Sequence, residues 1–145
     1  MQNFAKAEYL HDLTGGAIDA IVEAAASVPS PASQLYVVHL GGAVARVGEE
    51  ETAFSYRRAP YLVNILSIWT DPTEWDQQVA WARAAWESLR PFSAGGSYVN
   101  FLGAEGGDRV RSAYGATTYD RLVEVKRRYD PTNLFALNQN IPPGS

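Results

Sequence analysis

The sequence predicts an α+β fold, an antiparallel sheet with helices packed on one face. Three observations carry this. Two long β-branched and aromatic runs, residues 34–47 and Tyr61 to Trp69, lie near enough in sequence to pair antiparallel. A capped amphipathic stretch, Asp71 to Leu89, follows them at once. Strands and helices mix without regular βαβ alternation, which argues against a parallel doubly wound sheet.

Element by element, Thr14 to Val28 reads as a first helix, with Ile18, Ile21, Val22 and Ala25 at helical spacing. Pro29 and Pro31 stop it. Met1 stands just before that helix, at a place where a domain could begin. Residues 34–40 read as a strand, interrupted by Gly41-Gly42 and resumed from Val44 to Val47. Paired glycines there suggest a bulge, or close approach of another backbone or a ligand. Gly48-Glu49-Glu50-Glu51 is a polar turn before the Tyr61–Trp69 strand. Asp71 can cap the next helix, Pro72 suits its first position, and Glu74 completes a capping box. Trp75, Val79, Ala82, Trp86 and Leu89 form one apolar stripe, expected in the core. A fully buried Trp86 would cost about 3–5 kcal/mol on truncation to Ala. Ser93 to Gly96 is a flexible turn. Asp108 to Tyr114 and Thr117 to Tyr129 read as two further helices, the second broken by Asp130-Pro131.

The chain has 145 residues, enough for one domain with a sizeable core, and residues 1–145 read as a single domain. A formal charge of −4 gives no reason to bind nucleic acid or an anionic membrane. The pairs Arg57-Arg58 and Arg127-Arg128 read as solvated surface. Cysteine is absent, which excludes disulfides, thiolate nucleophiles and Cys-based zinc sites. His11 and His39 are distant, no His/Asp/Glu cluster has ligand spacing, and no metal site is expected. No apolar run approaches the ~20 residues of a spanning helix. Residues 1–8 lack the core of a signal peptide, so a cytoplasmic protein is expected. Glu49, Glu50, Glu51 and Glu105 read as loop charges rather than an acid/base pair. No Gly-x-Ser-x-Gly supports a hydrolytic triad.

Four motifs in order carry a family resemblance. The stretch Arg127-Arg128-Tyr129-Asp130-Pro131-Thr132-Asn133-Leu134-Phe135-Ala136-Leu137-Asn138-Gln139-Asn140-Ile141-Pro142-Pro143 resembles the C-terminal signature of the berberine-bridge-enzyme-like FAD-dependent oxidases; residues 130–145 form that tail. Residues 38–47 are similar to the family's Gly-Gly strand, and residues 52–61 to the segment after it, where a His usually stands in place of Tyr56. Residues 95–101 resemble its Tyr-x-Asn-Tyr/Phe motif. The resemblance runs from about Tyr9 to Pro143. It implies the C-terminal part of a substrate-binding domain plus the segment returning to a flavin domain. Those enzymes are much longer.

By this resemblance Tyr98 is the catalytic candidate, a base that deprotonates a substrate hydroxyl beside the flavin. A phenol has an ordinary pKa of about 10, so positive charge or hydrogen-bond donors must stabilise its phenolate. The competing reading is an aromatic packed at a sheet edge. Asn100, Asn138, Gln139 and Asn140 are the cofactor-binding candidates, since carboxamides donate and accept. Alternatively, residues 138–140 only fasten an irregular tail to the body. His39 and Asn64 are the substrate-binding candidates, with His39 on the strand face of Leu35 and Val37. Asn64 and Ser67 lie on opposite faces of their strand, so at most one of them faces any pocket.

The pyrophosphate loops of an FAD domain have no counterpart here. Gly41-Gly42-Ala43 and Gly95-Gly96-Ser97 are not dinucleotide fingerprints, and neither is expected to open a helix. FAD is thus implied by resemblance, but tight binding by this chain alone is not expected. The implied role is the substrate side of an FAD-dependent oxidoreductase, completed by a flavin-domain partner and acting on a small organic substrate. The alternative is a flavin-independent ligand-binding module, or a non-redox cyclase or isomerase. A third is a purely structural or partner-binding remnant. Apolar surface left where a flavin domain would dock predicts a homo-oligomer.

Overall fold

The structure is a computed structural model that describes residues 1–103 and 106–144. Glu105 lies outside them. Three strands form an antiparallel sheet in the order β1-β3-β2, with β1 at Gln2–Leu10, β2 at Gln34–His39 and β3 at Tyr61–Trp69. The helices are α1 (Gly15–Ala26), α2 (Ala43–Arg46), α3 (Trp75–Leu89), α4 (Gly107–Tyr114) and α5 (Ala116–Tyr129). The α+β expectation holds, with α1 and α3 covering one face of the sheet.

Period-two alternation divides the sheet into two surfaces. Leu10, Val63 and Ile65 point to the helices, into a core with Ala17, Ala24, Trp81, Ala82, Ala85 and Leu89. Ala7, Tyr9 and Leu62 point the other way and pack with Ala59, Tyr56, Tyr98 and Phe101. A smaller cluster of Leu102, Val110 and Ala113 seats α4.

The sequence leaves β1 unassigned and places the start of the fold at a helix. The structure puts a nine-residue strand there, in register with the whole of β3. The expected strand at Val44–Val47 is instead the helical turn α2. Gly42 is the cause: its φ of +60° takes the chain out of the strand direction. Gly42 thus precedes a helix after all, though one of four residues.

Thr14 caps α1, accepting from the Ala17 N–H at 3.3 Å. The apolar stripe of α1 is rotated from the expected one. Ala17 and Ala24 are buried, whereas Ile18 and Val22 are exposed. The small residues let α3 approach closely, and Trp81 fills the space, donating its indole N–H to the Ala24 carbonyl at 3.1 Å. Asp71 caps as expected, accepting from the Thr73 N–H at 2.9 Å and its hydroxyl at 2.8 Å. Residues Pro72–Glu74 form a 3₁₀ turn before α3, and Gln78, not a backbone N–H, donates to Glu74. On α3, Val79, Ala82 and Leu89 are buried as predicted. Trp75 is exposed and packs edge-on to Trp69. Trp86 is half-buried under Lys6 and Arg90. Arg58 is exposed as expected, but Arg57 is half-buried; its guanidinium donates to the Val44 carbonyl at 3.0 Å and to Thr52 at 2.6 Å.

Because Trp81 and not Trp86 is the enclosed indole of α3, Trp81→Ala is expected to destabilise by about 3–5 kcal/mol. Trp86→Ala should cost distinctly less. Urea denaturation of both variants checks the order, and an equal loss would mean that Trp86 is as much core as Trp81.

Candidate functional site

The candidate site is built on the sheet face turned away from α1 and α3. Tyr9 from β1 stacks on Tyr56, ring centroids 5.2 Å apart. Tyr56 takes a positive φ of 61° and donates its hydroxyl to the Ser112 carbonyl at 2.9 Å, while Ser55 donates to the Tyr114 carbonyl. These bonds tie the loop before β3 to α4. Gly96 must be glycine: its φ is +67°, and a Cβ would lie 1.9 Å from the Tyr56 ring. Next to it, Ser97 is buried and donates to the Ala7 carbonyl at 3.3 Å. The Ala94 N–H donates to the Tyr9 carbonyl at 2.7 Å. The 94–98 segment is thereby fastened along the outer edge of β1.

Tyr98 follows immediately and leads into a 3₁₀ turn, Val99–Phe101. Its ring makes edge contacts with Phe54 at 5.9 Å and Phe101 at 5.3 Å. Its hydroxyl oxygen accepts from the Asn100 carboxamide at 2.8 Å. Tyr98 and Asn100 therefore form one unit. Asn100, Asn138 and Gln139 line a common cleft of about 570 Å³ with Val99, Leu102, Tyr114 and Leu137.

The carboxamides divide by role. Gln139 donates to the carbonyls of Leu102 at 2.6 Å and Gly103 at 3.3 Å, pinning the tail to the loop after Phe101. Asn138 is exposed and sits at a positive φ of 58°. Asn140 carries a buried Oδ1 with no hydrogen-bond partner among the described residues. It faces a second hollow, with Tyr129, Phe135, Leu137 and Ile141.

The tail is held by Asp130. Its carboxylate accepts from Lys126 Nζ at 2.5 Å and from the N–H groups of Leu134 at 2.7 Å and Phe135 at 3.0 Å. Lys126 also donates to the Phe135 carbonyl at 2.6 Å. The Lys126 contact, with the two backbone donors, holds the Asp130 carboxyl below its ordinary value.

The two substrate-binding candidates are not brought together. Asn64 is buried on the Tyr98 side of the sheet, and its Oδ1 has no partner among the described residues. His39 lies on the helix side, exposed, its ring 5.3 Å from Tyr61 and close to Gly41. Ser67, opposite in face to Asn64 as expected, donates to Gln78 at 2.6 Å within the helix core. No group of three or more metal-ligating side chains occurs among the described residues. No described helix is long and apolar enough to cross a membrane.

Sequence reasoning missed Glu8 and Tyr9, neighbours on β1 that face opposite sides. Burial pushes the Tyr9 phenol up, and the phenols of Tyr98 and Tyr56 add to this. Glu8 is fully buried on the helix side, accepting from the Ser93 hydroxyl at 2.6 Å, with Arg90 at 3.7 Å. Burial raises its carboxyl, and Ser93 and Arg90 offset only part of that. The available signal was alternation through Phe4, Lys6, Glu8 and Leu10.

Comparison with known proteins bears on the family and the fold. The family described as "Berberine and berberine like" matches residues 97–142, the stretch from Ser97 through the tail. The chain belongs to the berberine-bridge-enzyme-like family. The uncharacterized FAD-linked oxidoreductase YgaK of Bacillus subtilis is 37% identical over 131 residues, covering 90% of this chain and 29% of that protein. The tetrahydroberberine oxidase of Berberis wilsoniae is 28% identical over 121 residues, covering 72% of this chain and 23% of that protein. Among solved structures, BBE-like 1 of Physcomitrella patens superposes with a TM-score of 0.83 at 24% identity, over 99% of this chain and 31% of that one. At that identity the likeness speaks for the fold. The chain spans less than a third of the length of these relatives.

Two outcomes follow from the Glu8 and Asp130 carboxylates. Glu8 holds its proton in the fold at pH values where the unfolded chain has lost it, so its contribution to stability falls as pH rises above 4.5. Wild type should therefore lose stability relative to Glu8→Gln as pH rises from about 4 to about 8, read as urea midpoints. A constant gap would contradict the raised carboxyl.

Asp130 behaves in the opposite sense. Its contribution is present above 3.8 and is lost as pH falls through its lowered value. Asp130→Ala should free the tail at neutral pH, removing hydrogen-exchange protection at the Leu134 and Phe135 amides. Unchanged protection there would show that the tail is held by other contacts.

Proposed function

We propose that this chain is the substrate-side part of an FAD-dependent oxidoreductase, acting on a small organic substrate at a flavin held by another polypeptide or another segment. The observation that carries this is the pairing of the Tyr98 hydroxyl with the Asn100 carboxamide at the rim of a cleft that Asn138 and Gln139 also line. The FAD-linked names of the relatives support it.

The residues present fit the polar edge of a flavin ring, which alternates hydrogen-bond donors and acceptors. Asn100 and Asn138 can present both. Asn140 holds a buried oxygen without a partner among the described residues, an acceptor awaiting a donor. Flavin, when bound, supplies a hydride acceptor. Everything else falls to this chain. Tyr98 takes the proton of a substrate hydroxyl, and the Asn100 N–H stabilises the charge on the phenol oxygen. Phe54 and Phe101 hold the ring in place and restrict water around it. Asn64, on the same side of the sheet, offers its oxygen to the substrate. His39 lies on the other face and is left out of the substrate site.

The exposed tail supports a partner. Leu134, Phe135 and Leu137 are 77%, 77% and 89% exposed, beside Tyr129 and Val125 on α5. Apolar groups so concentrated and so open mark a surface meant to be covered. In this reading the flavin-bearing polypeptide covers it.

Tyr98→Phe removes one oxygen and keeps the ring packing. In a complex of this chain with a flavin-bearing polypeptide, it should slow flavin reduction by substrate about 10²–10⁴-fold. Stability should fall by no more than about 0.5–1.5 kcal/mol. Equal rates in stopped-flow reduction would remove Tyr98 from the mechanism. Ligand binding that is indifferent to flavin would favour the flavin-independent module.

A further inference from the structure

The Glu8 carboxyl is fully buried, and the chemistry assigned to Tyr98 makes no use of it. Its Oε1 accepts from the Ser93 hydroxyl at 2.6 Å, and the Ser93 oxygen accepts in turn from the Gly95 N–H at 3.0 Å. A hydroxyl has one proton. Here it points at Glu8, so the lone pairs of Ser93 are left for Gly95. Glu8, Ser93 and Gly95 thus form a relay of two hydrogen bonds that run in one direction. A carboxylate at its head makes the first bond about twice as strong as one between neutral groups. That polarisation strengthens the second bond as well.

The relay ends where the chain is least able to hold its own shape. Gly95 and Gly96 are consecutive, and both take positive φ, +84° and +67°. Glycine has the widest choice of backbone states, so a Gly-Gly pair keeps one state only where bonds hold it. Upstream, the Ala94 N–H donates to the Tyr9 carbonyl. Downstream, the Ser97 hydroxyl donates to the Ala7 carbonyl, and Tyr98 leaves in the direction that the pair sets. The bond from the Gly95 N–H to Ser93 acts within the turn itself.

We infer that Glu8 and Ser93 are positioning residues for Tyr98: ionised Glu8 orients the Ser93 hydroxyl, Ser93 holds the Gly95 N–H, and the Gly95-Gly96 turn sets the Tyr98 ring against Phe54 and Phe101. This rests on the role proposed above for Tyr98 as base. Burial raises the Glu8 carboxyl above its ordinary value of 4.5, so an ionised Glu8 costs the fold stability. Groups perturbed in this way gather at functional sites. The groups that face Glu8 come from every neighbouring element. Arg90, after α3, stands 3.7 Å away, and Trp86 of α3 lies among the cations. Arg109 of α4 and Tyr56 of the loop before β3 sense its charge, and Lys6 shares its strand face. Burial pushes the Tyr56 phenol up, away from the acid range. Glu8 is the only carboxyl of this group, so titration of the relay is titration of Glu8.

Nuclear magnetic resonance of the full chain tests this without flavin. From about pH 8 to about pH 4 the Tyr98 ring signals should move with the same midpoint as the Glu8 carboxyl carbon. Protection of the Gly95 amide against exchange should fall as Glu8 gains its proton. Glu8→Gln, which does not ionise, should abolish the movement. Tyr98 signals that ignore Glu8, or that move alike in Glu8→Gln, overturn the inference. Ser93→Thr keeps the hydroxyl, and Ser93→Val has the same shape without it. Ser93→Thr should preserve the ring contacts of Tyr98 with Phe54 and Phe101, and Ser93→Val should weaken them. Equal behaviour of these two variants overturns the inference. If Ser93→Val fails to fold, the Glu8 titration decides. In a complex with a flavin-bearing polypeptide, Ser93→Val should slow flavin reduction about 10–10²-fold at unchanged substrate affinity, and Ser93→Thr should restore it. An unchanged rate in Ser93→Val, beside a rate lost in Tyr98→Phe, overturns the positioning role. Tyr98 signals that follow Glu8, beside a Tyr98→Phe rate equal to wild type, uphold the relay and retire Tyr98 as base.

Discussion

Everything in this fold depends on β3 being paired on both sides. Its backbone is fully committed, to β1 along one edge and to β2 along the other. That leaves its side chains to do two different jobs. Val63, Ile65 and Ser67 serve the helix side; Leu62 and Asn64 serve the Tyr98 side. A one-residue slip would exchange the two sets and bury Asn64 among the alanines of α1 and α3. The register is fixed by polar as well as apolar groups. Ser67 finds Gln78 within the core, and Ser33 closes on the Ile68 backbone. Asn64, by contrast, brings a polar oxygen to the other face without a partner among the described residues.

The second dependence runs through the aromatic stack. Tyr9 on Tyr56, with Gly96 passing beside the ring, is what carries the chain from the sheet to Tyr98. A side chain at Gly96 would push the 94–98 segment off the edge of β1, and with it the bonds at Ala7 and Tyr9. The site is therefore positioned by backbone contact, which is stiff, while Asn100 and Asn138 stay exposed at its rim.

Legibility in the sequence followed burial. β2, β3, α3, α4 and α5 are readable because their apolar periodicity answers to one neighbouring surface each. β1 was not, because Asn3, Lys6 and Glu8 interrupt its apolar pattern. Lys6 and Glu8 are matched by Ser93, Arg90 and Trp86, residues some eighty positions away, which no local window contains. The strand expected at Val44–Val47 failed for a local reason, the positive φ at Gly42. The α1 stripe failed because alanine, not isoleucine, is what a close helix pair buries. For the site, the motif gave Tyr98 and Asn100 as neighbours, and the structure joins them. His39 and Asn64 fall on opposite faces, since residues on adjacent strands share a face only in the register the sheet sets.

The tail shows how one short signature can be both scaffold and surface. Asp130 gathers Lys126 and the Leu134 and Phe135 amides into a tight turn, and Gln139 fastens the far end to the loop at Leu102. Between these two anchors Leu134, Phe135 and Leu137 are held out into solvent. Flexible apolar side chains would fold back onto the body; anchored ones cannot. The polar residues of the signature thus present the apolar ones.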